Sequence, residues 1–431
     1  MSSSEIYLIL NYLLQAIESW WWIVLPFILW RPFKFFYRWW RIDEWLKKQK
    51  MVLLEIKLPK ESLKPIRAME SVMAGLHGTT YHPPDWWETW IDGQIQLSLS
   101  FEIASIDGEQ HFFIRVGTGY RDAVESSIYS QYPEAEIEEA DDYIKYVPQS
   151  IPNKDWDLFA ADYKLLKDDH YPIKTYPKFE TEREVKEEKR IDPMAALLEG
   201  MAKIKPGEQL WVQITAEPIS EIPLKAWIAK GEVLRDKLAR RPEKPKQKPM
   251  IREAAEILIT GKIGEAPPEE KEIIPPEMKL TPGEREVIMG LEEKISKPVF
   301  KTNIRFIYLG KKDVWFKPNF RLVLSFFNTY TTLHMNALVP LGKTFTKIHK
   351  HWFLPINIIR PRRHYLRSRK IFRNYIKRFT PFFPRGGGTF VLNIEELASL
   401  FHFPSKTVAP APGVSRIEAK KQGMPPELPT E

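Results

Sequence analysis

Cysteine is absent from the 431 residues, which excludes disulfides, thiolate metal sites and a cysteine nucleophile. The short motifs of hydrolytic chemistry are missing too, with no GxSxG elbow and no HExxH pair. Nucleotide binding by a phosphate-cradling loop needs GxxxxGK[ST]. Gly342-Lys343-Thr344 supplies only its tail, since Ala337 stands where the first glycine belongs and no acidic Mg-binding strand follows. His77 and His82 bracket a turn and Asp168-Asp169-His170 groups carboxylates with an imidazole, but neither spacing matches a ligand set of known geometry. Gly386-Gly387-Gly388 reads as a flexible joint. No catalytic residue, cofactor site or metal site is expected, and no recognised DNA-reading motif is present.

What is there begins at the amino terminus. Ile6 to Trp30 is a largely apolar run with Glu18 as its one charged residue, and the basic, aromatic stretch Arg31 to Arg41 follows directly. Roughly 20 apolar residues cross a bilayer core. The run therefore predicts a transmembrane helix, with Trp20, Trp21 and Trp22 as an aromatic belt and Arg31, Lys34 and Arg38 as the cytoplasmic flank. The positive-inside bias then places the chain in the inner membrane as a single-pass protein, amino terminus out and bulk in the cytoplasm. A second arrangement stays open: residues 6–17 lie in the interface as an amphipathic helix and Trp20 to about Tyr37 spans or half-inserts, with Trp20, Trp21, Trp22, Trp39 and Trp40 as aromatic belts, which relieves the placement of Gln15 and Glu18 near mid-span.

The body carries 43% hydrophobic and 13% aromatic residues, enough for two or three packed domains. Met51 to Leu58 reads as a strand, and Pro65 opens a helix with Ile66, Met69, Val72, Met73 and Leu76 at helical spacing. From Ile95 to Ile103 apolar residues alternate with Gln96, Ser98, Ser100 and Glu102, Asp107-Gly108 makes a hairpin turn, and His111 to Val116 returns. A helix near Tyr120–Tyr132 and a strand near Ile137 complete a βαββαβ order, which predicts a ferredoxin-like module. A second such module is traced through Gln209–Ala216, Ile222–Leu238, Gly283–Ile295, Phe300–Leu309, Lys317–Thr329 and Met335–Val339. The predicted fold class is thus α+β: a transmembrane helix, two ferredoxin-like modules and a C-terminal basic helix. The domain plan is an anchor (1–50), module one (51–150), a charged connecting segment (151–207) and module two (208–342) with a charged, Pro-rich insertion at 240–282. A basic, aromatic segment (343–403) and a Pro-rich tail (404–431) follow.

Net charge is +8 with a pI near 9.2, favouring an anionic partner. Lys343 to Arg385 concentrates it, with 13 Lys and Arg and no Asp or Glu. Arg362 to Arg378 reads as a helix, and Arg360, Arg362, Arg363, Arg367, Arg369, Lys370, Arg373, Lys377 and Arg378 are the candidate ligand-binding residues. Such a helix can dock on nucleic-acid phosphates with salt-dependent affinity. It can lie on anionic lipid. It can also be a solvated face whose aromatics pack into the second module.

Five stretches together resemble one family: Met51–Glu61, Phe101–Ile137, Tyr163–Tyr176, Asp192–Ile214 and Val391–Pro404, the last reading VLNIEELASLFHFP. They are similar to the membrane-anchored N-terminal region of TraG-like, type IV secretion coupling ATPases. The resemblance implies a non-catalytic, membrane-anchored component of a conjugation-type DNA translocation apparatus. It implies as partners a hexameric motor ATPase, supplied in trans or as a C-terminal domain beyond Glu431, and further copies of the chain. The alternative function is a structural membrane scaffold whose basic helix binds anionic phospholipid and never meets DNA.

Overall fold

Period-2 patterning around Asp107-Gly108 produces a two-residue hairpin, both residues taking positive φ (52° and 94°), as a tight turn matching strand twist requires. Strands β2 (Leu99–Ile106) and β3 (Glu109–Gly117) pair antiparallel from Ser100↔Arg115 to Ile106↔Glu109. The Asp107 carboxylate also accepts the Gly207 N–H at 2.7 Å, tying the turn to the start of a later strand. The computed structural model describes residues 3–59, 64–179, 192–241, 280–350, 352, 357–378, 388–404 and 416–417. The charge run Glu180–Ile191, most of the 240–282 insertion, Gly386-Gly387 and nearly all of the Pro-rich tail lie outside the described residues. Contacts divide the chain into two units, residues 1–51 with 82–97, and residues 52–81 with 98–431.

The larger unit is built on one sheet in the order β10–β1–β3–β2–β6–β7–β5–β8, with β4 beside β1 and β9 beside β7. The remaining strands are β1 (Met51–Pro59), β4 (Glu136–Glu139), β5 (Trp156–Leu165), β6 (Glu208–Pro218), β7 (Val299–Lys311), β8 (Leu338–Pro340), β9 (Phe390–Asn393) and β10 (Arg416–Ile417). Among the pairs of known register only β1/β10 is parallel.

Both faces of the sheet are covered. Alternation divides β7, sending Ile304, Phe306 and Tyr308 to one core and Ile307 and Leu309 to the other. The first core lies under helices α2 (Ile66–Thr80), α3 (Arg121–Tyr129), α4 (Ala195–Ala202), α7 (Arg321–Asn328) and α9 (Ile394–Leu400). The second packs Phe113, Tyr143 and Trp211 against Ile371, Phe372 and Tyr375 of α8 (Arg360–Lys377). Helices α5 (Glu221–Leu238) and α6 (Pro282–Ser296) pack on each other so tightly that a Cβ on Gly231 would sit 2.4 Å from Ile295 Cδ1.

An α+β chain is what the structure has, but the two ferredoxin-like modules are not formed. β2 pairs along its whole length with β6, so strands assigned to separate modules share one sheet. The stretch 151–207 read as a connector holds β5, which lies between β7 and β8. The physical reason is that a period-2 pattern reports which face a strand buries and is silent on which strand it pairs with.

The smaller unit consists of α1 (Ser3–Lys48) and the Trp-rich loop 82–97. Arg41 Nε donates to the Ile91 carbonyl at 2.6 Å, and the Asp85 and Glu88 side chains accept each other's backbone N–H at 2.8 and 2.9 Å. Gly93 has φ +75°, and a Cβ there would meet the Arg41 carbonyl oxygen at 2.4 Å, so only glycine fits. The expected transmembrane helix is not supported: among the described residues no helix is long and apolar enough to cross a membrane. Asn11, Gln15, Glu18 and Ser19 interrupt the apolar run, and much of its bulk is Trp and Tyr, whose polar edges favour an interface over hydrocarbon. The single-pass topology with the amino terminus out rests on the same span and is not supported by α1 either.

Candidate functional site

The basic helix forms, as Arg360–Lys377 with Arg378 as a left-handed C-cap at φ 52°. Its nine candidate cations have two different fates, decided by helical spacing. Arg360, Arg367 and Arg378 fall on the side that carries Ile371, Phe372 and Tyr375 to the sheet. Arg360 Nε donates to the Ile348 carbonyl at 2.8 Å and Arg367 Nη1 to the Phe345 carbonyl at 2.7 Å, so both fasten the chain that leads into the helix. The opposite side carries Arg362, Arg363, Arg369, Lys370, Arg373 and Lys377. Arg369 is half-buried and donates to the Tyr365 hydroxyl at 3.0 Å, and the other five are exposed. Among the described residues none of these six has a carboxylate within ion-pair distance.

Arg378 is the centre of a buried polar cluster and cannot meet a ligand. Its side chain is 1% exposed, its Nε lies 2.7 Å from Glu102 Oε1 and its Nη1 2.5 Å from Asp142 Oδ2. Glu102, itself fully buried, also accepts from Ser100 Oγ at 2.6 Å, Tyr143 Oη at 2.7 Å and Gln213 Nε2 at 3.0 Å. Burial opposes ionisation of Glu102, but the Arg378 guanidinium and these hydroxyls outweigh it and hold the carboxyl below its ordinary range. Burial pushes the Tyr143 and Tyr375 phenols well up, and their hydroxyls lie 2.7 Å apart. A second buried arginine, Arg305 on β7, pairs with Asp162 at 3.2 Å and donates to the Asn374 carbonyl of α8 at 2.5 Å. Two internal arginines thus clamp the helix to the sheet and leave one of its sides free.

None of the cluster but Arg378 was identified from sequence. A signal was available: Glu102 is a lone acid in the Ser98-Ser100-Glu102 row of β2, whose opposite row is apolar. A two-sided core buries that polar row, and a buried carboxylate then needs a buried cation.

The EELA–HFP stretch, which carries much of the family resemblance, is core. All seven residues of α9 are buried. Glu396 caps its own helix by accepting the Asn393 N–H at 3.0 Å, pairs with buried Lys294 at 3.0 Å and accepts the Ile173 N–H at 2.9 Å. Glu395 pairs with Lys297, which also meets Glu70 of α2 at 2.9 Å. His402 reaches Asp192 at 3.0 Å.

Among the described residues no group of three or more His, Asp or Glu could hold a metal. Both ring nitrogens of His170 face oxygen atoms, Nδ1 the Asp168 carboxylate and Nε2 the Trp227 carbonyl at 2.9 Å. Gly342-Lys343-Thr344 falls after the end of β8, where Thr344 Oγ1 accepts the Asp162 N–H at 3.0 Å.

In α1, Trp30, Phe33, Tyr37 and Trp40 form a ladder of ring contacts at centroid separations of 6.1 to 6.2 Å. Arg31, Lys34, Arg38 and Arg41 repeat at the same spacing of three, four and three, making a row beside it. Lys34 and Arg38 each lie 5.8 Å from the Trp90 ring. Trp20, Trp22, Phe27, Trp30, Phe36 and Trp40 are exposed, Phe27 by 77%, and the Trp86 and Trp87 rings of the loop are exposed as well. The Trp21 side chain lies outside the described residues.

A single, mainly antiparallel sheet covered by helices on both faces, joined to an aromatic helix-and-loop unit, is the class of protein these features define. Residues 41–339 match the family described as Domain of unknown function (DUF8128), and the chain belongs to it. No curated protein matches the chain. The matched region takes in the sheet through β8 and the end of α1, and stops short of α8 and α9.

Proposed function

We propose that the protein is a non-catalytic scaffold that sits on a membrane surface, with the smaller unit as its interfacial anchor. The observation behind this is the exposed aromatic surface of α1 and its loop. Exposed Trp and Phe in such number are rare on a protein bathed only by water. Transfer of three such side chains out of water contributes about 5–9 kcal/mol. Tryptophan favours the headgroup level, where its ring is buried and its N–H stays solvated, and the neighbouring Arg31 and Lys34 suit phosphate. A role in DNA translocation beside a motor ATPase has the sequence resemblance behind it and would use the same anchor.

The test is flotation of the full chain with phosphatidylcholine vesicles, with and without phosphatidylglycerol. The chain is expected to float, to be released by alkaline carbonate as a surface-bound protein, and to float poorly when Trp20, Trp30 and Trp40 are changed to Ser. Wild-type chain that stays at the bottom of both gradients would refute the reading.

A further inference from the structure

The outer side of α8 has a composition that selects among anionic partners. Steps of three and four place Arg362, Arg363, Arg369, Lys370, Arg373 and Lys377 along it, and the same steps put Ile359 and Leu366 in the row. These two apolar side chains are 51% and 52% exposed, although the sheet offers α8 an apolar core on its other side. No Ser, Thr, Asn or Gln stands in the row; Ser368 is buried, and Asn374 is half-buried on the side that Arg305 clamps through its backbone carbonyl. Proteins that track nucleic-acid backbones supplement Arg and Lys with such small polar donors, whereas isolated aliphatic side chains give a phosphodiester nothing to bind. A bilayer surface uses both kinds: cations pair with headgroup phosphate and aliphatic side chains enter the acyl boundary between them. The helix is also held rigid, by buried Ile371, Phe372 and Tyr375 and by the Arg305 and Arg378 clamps, so its row is set before any ligand arrives.

We infer that this side of α8 is a docking face for anionic bilayer lipid, distinct from the aromatic anchor and giving the protein its preference for negatively charged membranes. The inference rests on the membrane-surface reading and adds the lipid class. A cation near an anionic surface strengthens partition by about fivefold.

The experiment compares the full chain with two variants, R362Q/R363Q/K370Q/R373Q and R362K/R363K/R373K, on phosphatidylcholine vesicles, on vesicles containing phosphatidylglycerol and on duplex DNA. Wild type is expected to prefer the anionic vesicles, and the Gln variant to lose roughly several hundredfold on them while binding neutral vesicles unchanged. The Lys variant is expected to bind as wild type does, because a fluid lipid surface reads charge and not the guanidinium fork. Unchanged anionic preference in the Gln variant, or loss of binding in the Lys variant, would overturn the inference. So would duplex binding that falls steeply with salt and is abolished in the Gln variant while its vesicle binding persists. Failure of the anchor is separable, since it removes neutral-vesicle binding from the wild type itself.

Discussion

Changing Arg378 to Met is the sharpest probe of how α8 is held. The stem is nearly preserved, the left-handed cap stays non-glycine, and the guanidinium alone is lost. Glu102 is then a fully buried carboxylate without its cation, and Asp142, about a third exposed, loses a partner that water can largely replace. Removing one member of a buried ion pair costs about 3–5 kcal/mol. Ser100, Tyr143 and Gln213 still donate to Glu102, which puts the expected loss near the lower end, about 3 kcal/mol. Spread over the unfolding entropy of so large a unit, that loss should lower the midpoint of thermal unfolding, followed by circular dichroism, by about 4–5 °C. The loss must also depend on pH. In the wild type Glu102 titrates below its unfolded value of about 4.3, so the pair contributes stability above that pH and loses it as pH falls through the lower folded value. Without Arg378, burial is left as the dominant influence and the folded value rises above the unfolded one. The variant then loses stability as pH climbs from about 4.3 through the raised value. Denaturant titrations at pH 4 and pH 7 should show the gap between the two proteins widening with pH, and E102Q/R378M should recover part of it. A cost below about 1 kcal/mol, or one that is the same at both pH values, would refute the argument.

Lys294→Met should destabilise by about 3 kcal/mol in urea titration, and K294M/E396Q by less, because the single change removes the cation from Glu396, whose carboxyl burial already pushes above its ordinary range. Gly231→Ala should cost about 1–3 kcal/mol in the same assay, since the new methyl meets Ile295 Cδ1 at 2.4 Å and His170 Cδ2 at 2.8 Å. Replacing Trp30 and Trp40 by Ser should leave the melting temperature of the chain within a degree or two while lowering vesicle flotation, a separation that a core role for these rings would not give. Gly93→Ala should leave the melt of the large unit unchanged and alter Trp fluorescence, because it strains the loop's φ and presses on the Arg41 carbonyl.

Local structure was legible in the sequence. β1, α2, the Asp107-Gly108 hairpin, α3, α5, α6 and β7 arise where period and turn chemistry put them, within a few residues. Pairing between distant strands was not, because nothing local in Gln209–Ala216 says that it lies against Leu99–Ile106. β5 has no clear period in the sequence, since Trp156–Leu165 mixes Asp157, Asp162 and Lys164 into its apolar residues. Its acids have internal uses, Asp162 pairing with Arg305. The basic helix was legible as a helix and only partly as a site. Charge alone cannot tell Arg378, folded inward onto Glu102, from Arg373, exposed five residues earlier on another side of the same turn sequence. The aromatic amino-terminal run misled in a different way: bulk and apolarity suggested a span, while Glu18 and the indole edges kept α1 short of what hydrocarbon requires.

Burial of α9 has a bearing on how the protein is made. Its Leu397 and Ala398 sit in the same core as Met69, Val72 and Met73 of α2, and Lys297 bridges Glu395 to Glu70, so residues some three hundred positions apart close on each other. On the ribosome α2 is synthesised early and waits with its apolar side uncovered until Phe403 has cleared the exit tunnel. Long-range closure of this kind slows folding and leaves a sticky intermediate. The nascent chain therefore passes most of its synthesis needing protection from its neighbours, and a premature stop before Val391 would release a polypeptide unable to seal its own interior.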